Sequence, residues 1–128
     1  MKNINRVTLM GHLAADPEFK STQTGKKVCV AVLATNNEWR DNDGQNQKAV
    51  DFHRVIAWDH LAERCHRELK KGSPVWAEGR LSNRSYEGKD SVRHYVTEVN
   101  LQNIYLIEWK EKDQRVETRE LAEAAPVA

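Results

Sequence analysis

The feature that most constrains the fold is the stretch of residues 26–35, in which both alternating sets of side chains are apolar. The two sets are Val28, Val30 and Val32 on one face and Cys29, Ala31 and Leu33 on the other. Apolar, often β-branched residues at this spacing predict a strand. Because both of its faces must be covered, the strand fits a closed barrel or an interface between sheets.

Four other segments have strand-like patterns, and one segment is helical. Gly11 interrupts the first strand, which indicates a bulge or sharp bend of the kind that small barrels need. Leu61, Cys65 and Leu69 recur at helical spacing, and we expect Asp59 to cap this helix at its N-terminus. The predicted strands cover residues 4–13, 26–35, 49–58, 74–81 and 94–107, and the helix covers about residues 60–70.

This order of elements, with the single helix between strands 3 and 4, is typical of an all-β, five-stranded Greek-key barrel, the OB-fold. Barrels of this type commonly bind oligonucleotides on one sheet face and the adjoining loops. We assign residues 1–109 to this domain. Residues 110–128 carry no pattern for a second core, so we interpret them as a flexible C-terminal tail.

Composition narrows the class of protein without identifying its partner. Of the 128 residues, 39% are hydrophobic and 30% are charged, which is typical of a soluble globular domain. The net charge of +1 does not by itself indicate a nucleic-acid partner. No apolar run approaches the roughly 18 residues of a membrane span. Cys29 and Cys65 stand far apart in the sequence, which favours reduced, buried thiols inside the cell over a disulfide framework.

The strongest functional signal lies in residues 51–58. Strand alternation places Phe52, Arg54, Ile56 and Trp58 on one face. If that face is exposed, two rings flanking an arginine form a platform for unpaired bases, with each stacked base contributing about 1–3 kcal/mol whatever its identity. The alternative is that Phe52 and Trp58 are ordinary core residues.

Two further aromatic residues favour the stacking hypothesis. Trp39 lies beside Arg40 at the mouth of a polar hairpin, and Tyr86 lies near Arg84 in a second polar loop. Burial alone does not explain rings at such positions, because connecting segments lie at the protein surface. The sequence therefore predicts a surface that binds single-stranded nucleic acid.

Short motifs in a fixed order make the hypothesis more specific. They are NRV (5–7), GHL (11–13), AADPE (14–18), ATNNEWRD (34–41), FHRV (52–55), LAE (61–63), LKKGS (69–73) and EGRL (78–81). Over about residues 3–107 the chain resembles the bacterial single-stranded DNA-binding protein family. The resemblance implies an OB-fold, assembly of identical subunits as a tetramer, a location in the cytoplasm at the nucleoid, and sequence-tolerant binding of single-stranded DNA during replication, recombination and repair.

The resemblance also implies a set of binding residues. The rings of Trp39, Phe52, Trp58 and Tyr86 are expected to stack on bases, while Arg40, Arg54, Lys70, Lys71 and Arg84 are expected to lie along the DNA path. Each basic residue could instead be a solvated surface charge, and Arg40 and Lys70 match the family less closely. His53 and Trp76 match positions near the family's subunit contacts, with packing inside the domain as the alternative.

The end of the sequence departs from the resemblance. Family members often end in an acidic tip with a hydrophobic anchor that recruits replication and repair proteins, whereas residues 124–128 are Ala-Ala-Pro-Val-Ala. We therefore do not expect recruitment by this route.

Three other readings have less support. His60, Cys65 and His66 spread around a helix and lack further ligands, so no metal site is predicted. The acidic residues fall mainly in turns and the tail, which argues against a small nuclease, and we predict no catalytic residue and no cofactor. A dimeric OB-fold adaptor that binds DNA weakly remains the main alternative, although such adaptors tend to lack most of the four rings.

Overall fold

The structure, a computed structural model, describes residues 1–107 and contains the predicted barrel. The tail interpretation for residues 110–128 lies outside the described residues. The elements are β1 (Val7–Leu13), β2 (Glu18–Ser21), β3 (Lys27–Arg40), β4 (Asn46–Trp58), α1 (Asp59–Glu68), β5 (Pro74–Glu87) and β6 (Arg93–Leu106). Strands β1, β5, β6, β4 and β3 pair in that order, and β1 pairs again with β3 to close a five-stranded OB-fold barrel.

Close approach of β1 to β3 completes the barrel. Residues 7–12 of β1 pair with β5, and His12 and Leu13 pair with β3. A Cβ atom on Gly11 would lie 2.1 Å from the carbonyl oxygen of Ala34. Glycine is therefore required at this close contact between β1 and β3. The pairing of β1 with β5 runs through Gly11 without a register shift, so no bulge is seen at this position.

The core lies between the inward faces of the barrel strands and α1. Leu13, Leu33, Val55 and Val75 are almost fully buried, and burial of such side chains contributes about 1.5–3 kcal/mol each. Cys65 of α1 packs in the same cluster. Helix α1 thus covers one open end of the barrel.

Both cysteines are free and buried, as predicted. The Cys65 thiol donates a hydrogen bond to Cys29, and this bond, together with burial, raises the pKa of Cys65 far above its usual range. The same bond lowers the pKa of Cys29. Both thiols belong to the buried core cluster and are therefore shielded from solvent.

Several local predictions need correction. Arg84 and Tyr86, expected in a polar loop, lie on strand β5. Strand β2 was not predicted, because four residues of mixed polarity after Pro17 are too few to display a period of two. The predicted cap at Asp59 is wrong: Trp58 occupies the N-cap position without a side-chain cap, and Asp59 already belongs to α1 with φ of 56°. The helix ends at Glu68, slightly before the predicted end.

The strands extend well beyond the barrel and form two projecting two-stranded ribbons. The β3–β4 ribbon comprises residues 35–51, and the β5–β6 ribbon comprises residues 82–97; most side chains in both are exposed. The parallel pairing of Val55 with Val99 brings β4 and β6 together at the base of the ribbons. No helix within residues 1–107 is long and apolar enough to cross a membrane.

Candidate nucleic-acid interface

The outer face of β4 displays the aromatic residues that the sequence singled out. The side chains of Phe52 and Trp58 are 65% and 38% exposed. Val55 and Ala57 fill the core instead, so the alternative that the two rings are core residues is wrong for this chain. Ile56 shares the outer face with the rings but is buried.

Strand β3 adds apolar side chains to this face beside the rings of β4. Val28 is paired with Trp58, and Val30 is paired with Ile56. Paired residues share a face of the sheet, so branched aliphatic side chains lie directly beside the indole. A base stacked on Trp58 would therefore meet a largely apolar surface at its edge.

The β5–β6 ribbon carries a second ring cluster. Tyr86 and His94 are stacked, with ring centroids 5.3 Å apart and planes inclined by 23°. The guanidinium carbon of Arg84 lies 5.7 Å from the centroid of the Tyr86 ring, within range of a cation–π contact. The face thus combines a ring and a positive charge, which suits a base and its phosphate.

Glu98 of β6 joins the two clusters. Its Oε2 atom accepts a hydrogen bond of 3.0 Å from Nε of Arg54, and its Oε1 atom accepts one of 2.9 Å from Nε of Arg84. The arginines of β4 and of the β5–β6 ribbon are therefore held on one continuous surface, defined here as the arginine face: Phe52, Arg54, Trp58, Arg84, Tyr86 and Glu98.

Trp39 and Arg40 lie apart from this surface, near the tip of the β3–β4 ribbon. Trp39 is 47% exposed. It is paired with Gln47, and the uninterrupted register from there to Phe52 places the two rings on opposite faces of the ribbon. No hydrogen bond or ring contact of the Trp39 or Arg40 side chain is seen within residues 1–107.

A carboxylate organises the turn at this tip. Asp41 accepts hydrogen bonds from the backbone N–H groups of Asp43 and Gln45 and from the side chain of Gln47. The backbone hydrogen bond from Gln45, followed by that from Gln47, lowers the pKa of Asp41 below its usual range. The tip is thus an ordered turn that presents Trp39 and Arg40 to solvent.

Lys70 and Lys71 are exposed in the turn between α1 and β5. The turn is fixed by its backbone, since the N–H group of Lys71 donates to Asp16 over 2.8 Å. Strand β5 starts just beyond it and carries Arg84 and Tyr86 near its other end. The structure therefore does not bring the two lysines into the arginine face.

The two proposed interface residues occupy different faces of the barrel wall. Nε2 of His53 lies 2.9 Å from Oγ1 of Thr35, a hydrogen bond inside the chain on the inward-facing side of β4. Trp76 points outward, in an aromatic pair with Tyr105 whose centroids are 5.6 Å apart. Met10 pairs with Trp76 across the sheet and is itself exposed.

Two residues of the site were missed from the sequence. Glu98 looked like any charge in a strand; its one signal was its place directly before the buried Val99. His94 could have been found only from the register that pairs it with Tyr86.

His66, considered above as a metal ligand, stacks on Phe19 with ring centroids 4.6 Å apart. No cluster of His, Cys, Asp and Glu suited to a metal ion occurs in the described part of the chain.

Comparisons with known proteins agree with this geometry. The model of the single-strand binding protein family matches residues 4–107. Single-stranded DNA-binding protein 1 of Chlorobaculum tepidum is 40% identical over 99 residues, covering 77% of this chain and 61% of that protein. The single-stranded DNA-binding protein of Xanthomonas axonopodis is 40% identical over 98 residues, with 77% and 54% covered. The chain thus spans little more than half the length of these two relatives.

Two further matches cover nearly the whole of their partners. Single-stranded DNA-binding protein 1 of Xylella fastidiosa is 31% identical over 127 residues, covering 98% of this chain and 93% of that protein. Among solved structures, the SSB of Plasmodium falciparum in complex with ssDNA superposes with a TM-score of 0.78 at 28% identity, covering 84% of this chain and 98% of that one. With the family model matched across the whole described barrel, the chain belongs to the single-strand binding protein family.

Proposed function

We propose that this chain is a non-enzymatic protein that binds and protects single-stranded DNA with little sequence preference during replication, recombination and repair, in the cytoplasm at the nucleoid. The observation that carries the proposal is the exposure of Phe52 and Trp58 on either side of Arg54 along one strand face. Exposed rings next to arginines favour a strand of unpaired bases, since every base has a face that can stack.

The chemistry of binding follows from these groups. Bases stack on the rings of Phe52, Trp58 and Tyr86, and phosphates pair with the guanidinium groups of Arg54 and Arg84. Each stacked base contributes about 1–3 kcal/mol. Phosphate pairing releases counterions, so affinity falls as salt rises, by about 0.7 log units per paired phosphate for each tenfold increase in salt.

The position of Trp39 constrains the path of the strand. Its ring lies on the opposite side of the β3–β4 ribbon from Phe52. A DNA strand whose bases stack on both rings must therefore pass around the ribbon and cannot lie in one flat groove. Lys70 and Lys71 are candidates for a more distant part of the same path.

Tryptophan fluorescence tests the proposal directly. We expect titration with a ~35-nucleotide oligo-dT to quench the fluorescence strongly, because indoles stacked on bases are quenched. A duplex of equal length serves as the control and should quench little. Repeating the titration at two salt concentrations should give weaker binding at the higher one. An unchanged emission, with no competition by unlabelled oligo-dT, would favour the weakly binding adaptor instead.

We also propose that the chain assembles with identical copies, as a tetramer. The support is a row across the outer faces of β1, β5 and β6 in which the half-buried Trp76 lies between the exposed Met10 and Tyr105. Rows of this kind are typical of surfaces that associate. His53, hydrogen-bonded to Thr35, would act from inside the barrel wall by supporting the neighbouring strand.

Sedimentation equilibrium tests the assembly proposal. We expect wild-type protein to sediment at four times the monomer mass, and Trp76→Glu to shift the mass toward smaller species because it places a charge in the buried interface. Glu87→Gln, a change in the β5–β6 ribbon, is the matched control and should leave the mass unchanged. A monomeric wild type would exclude the proposal.

A further inference from the structure

Glu98 is the only charged side chain that is buried within residues 1–107, at 6% exposure. Both of its carboxylate oxygens are occupied, each by the Nε–H group of a different arginine. A buried carboxylate is costly unless it is fully paired, and this one is paired on both sides. Its arginine partners are only partly covered, with 41% and 43% of their side chains exposed.

The two arginines come from different parts of the chain. Arg54 lies on β4 between Phe52 and Trp58, and Arg84 lies in the β5–β6 ribbon next to Tyr86. Glu98 stands between them on β6, whose register with β5 and β4 puts all three side chains on one face. One carboxylate therefore fixes the relative position of two arginines that are candidates for binding phosphate.

The pairing leaves most of each guanidinium available. A guanidinium has five N–H donors, and the structure uses only the one on Nε for Glu98. No hydrogen bond from an Nη atom of Arg54 or Arg84 is seen in the described residues. The Nη donors can thus bind a phosphate while Nε stays on Glu98, in the planar, two-sided manner that suits arginine.

We infer that Glu98 is a positioning residue for single-stranded DNA: it holds Arg54 and Arg84 in the geometry that binds the phosphates, and it stays paired to both when the strand binds. This inference rests on the proposed function. Arginines held in advance lose less side-chain freedom on binding than free ones, so an acidic residue strengthens the binding of an anion.

Simple electrostatics predicts the opposite. Glu98 carries a negative charge near the strand, so its removal raises the local positive charge and should tighten binding if position did not matter. The sign of the effect therefore separates the two accounts. Glu98→Gln keeps the shape of the side chain and removes the charge, but it replaces one of the two acceptor oxygens with an NH2 donor, so it cannot accept at both positions.

The experiment compares Glu98→Gln with Glu87→Gln. Glu87 lies beside Tyr86 in the same ribbon, is exposed and has no ion pair within residues 1–107, so both variants change the charge equally. Binding of fluorescent oligo-dT is measured by anisotropy across a range of salt. We expect Glu98→Gln to bind about five- to tenfold more weakly than Glu87→Gln. Its salt slope should also be shallower, by about 0.7 for each phosphate that the arginines no longer hold.

The possible outcomes are distinct. If wild-type protein does not bind oligo-dT, the proposed function itself fails. If wild type binds and Glu98→Gln binds as tightly as Glu87→Gln or more tightly, the positioning role is overturned, and Glu98 instead competes with the strand. A partly unfolded variant would lower the bound fraction without changing the salt slope of the folded molecules, and circular dichroism would reveal it.

A second measurement needs no change at Glu98. In wild-type protein, the Nε–H groups of Arg54 and Arg84 should give two NMR signals protected from exchange with water, assigned by their loss in Arg54→Lys and Arg84→Lys. We expect both signals to persist after oligo-dT is added. Loss of their protection on binding would mean that the strand displaces Glu98, which overturns the inference even if Glu98→Gln fails to fold.

Discussion

The two ribbons that project from the barrel have the same turn but differ in how their side chains are held. In the β5–β6 ribbon, Arg84 is paired with Glu98, and Tyr86 is stacked on His94. In the β3–β4 ribbon, Trp39 has no such partner among the described residues. The side chains of the β5–β6 ribbon are thus held in place before DNA binds, whereas those of the β3–β4 ribbon must become ordered on binding.

The difference has an energetic consequence. A side chain that is immobilised on binding costs about 0.5–1.5 kcal/mol, and the β5–β6 ribbon has already met part of that cost in folding. We therefore expect the organised ribbon to contribute more to affinity for each ring. The Trp39 and Arg40 side chains, which have no such partners within residues 1–107, can adapt to a DNA strand that passes around the tip.

The largest effect is expected from removal of the organised ring. Tyr86→Ala should weaken oligo-dT binding by about 1–3 kcal/mol, because it removes a ring that is already placed for stacking. Trp39→Ala is the matched change in the other ribbon. It should weaken binding by about 0.5–1.5 kcal/mol less than Tyr86→Ala, because immobilising the Trp39 side chain on binding costs that amount. Anisotropy of labelled oligo-dT measures both without relying on tryptophan emission. An equal or greater loss for Trp39→Ala would refute the distinction between the ribbons.

The backbones of the two turns provide a second comparison. In the β3–β4 turn, the N–H group of Asp41 donates to the carbonyl of Gln45, and that of Gly44 donates to Asp41. In the β5–β6 turn, the N–H group of Gly88 donates to the carbonyl of Val92, and that of Ser91 donates to the carbonyl of Gly88. The fourth residue is left-handed in both cases, with φ of 79° at Gly44 and 61° at Ser91.

A reciprocal exchange at this fourth position should shift stability in opposite directions. A left-handed conformation costs a residue with a side chain about 1–2 kcal/mol relative to glycine. We expect Ser91→Gly to stabilise the protein and Gly44→Ser to destabilise it, each by about 1 kcal/mol, in urea denaturation at fixed protein concentration. An added Cβ at Gly44 meets nothing within 4 Å, so sterics with neighbours do not confuse the result. Changes of the same sign would contradict the shared-turn interpretation.

The comparison also shows which features the sequence could reveal. The barrel strands, the helix and the exposed rings of β4 follow from alternation and from ring positions, which depend on local sequence. The arginine face does not, because Arg54 and Glu98 are 44 residues apart and meet only through the parallel pairing of β4 with β6. The same limit applies to Trp39, whose side of the ribbon depends on an uninterrupted register with β4.

The smallest effect concerns the acidic residue in each turn. Asp41 accepts from the backbone N–H of Gln45, and Asp90 accepts from that of Val92; these hydrogen bonds are the main reason that the pKa of each carboxyl is lowered. Side-chain donors add to the shift, from Gln47 in one turn and His94 in the other.

Because the pKa is lowered, each carboxylate stabilises its turn fully at pH values above the ordinary carboxyl pKa of about 3.9. This contribution is lost as the pH falls through the lower pKa of the folded state. The NMR shifts of the Gln45 and Val92 amides should therefore titrate with midpoints below about 3.9. Asp41→Asn should abolish the titration at Gln45 and leave that at Val92 intact. If the Val92 midpoint also moved, the two turns would be coupled through the barrel, and the ribbons could no longer be treated as independent arms.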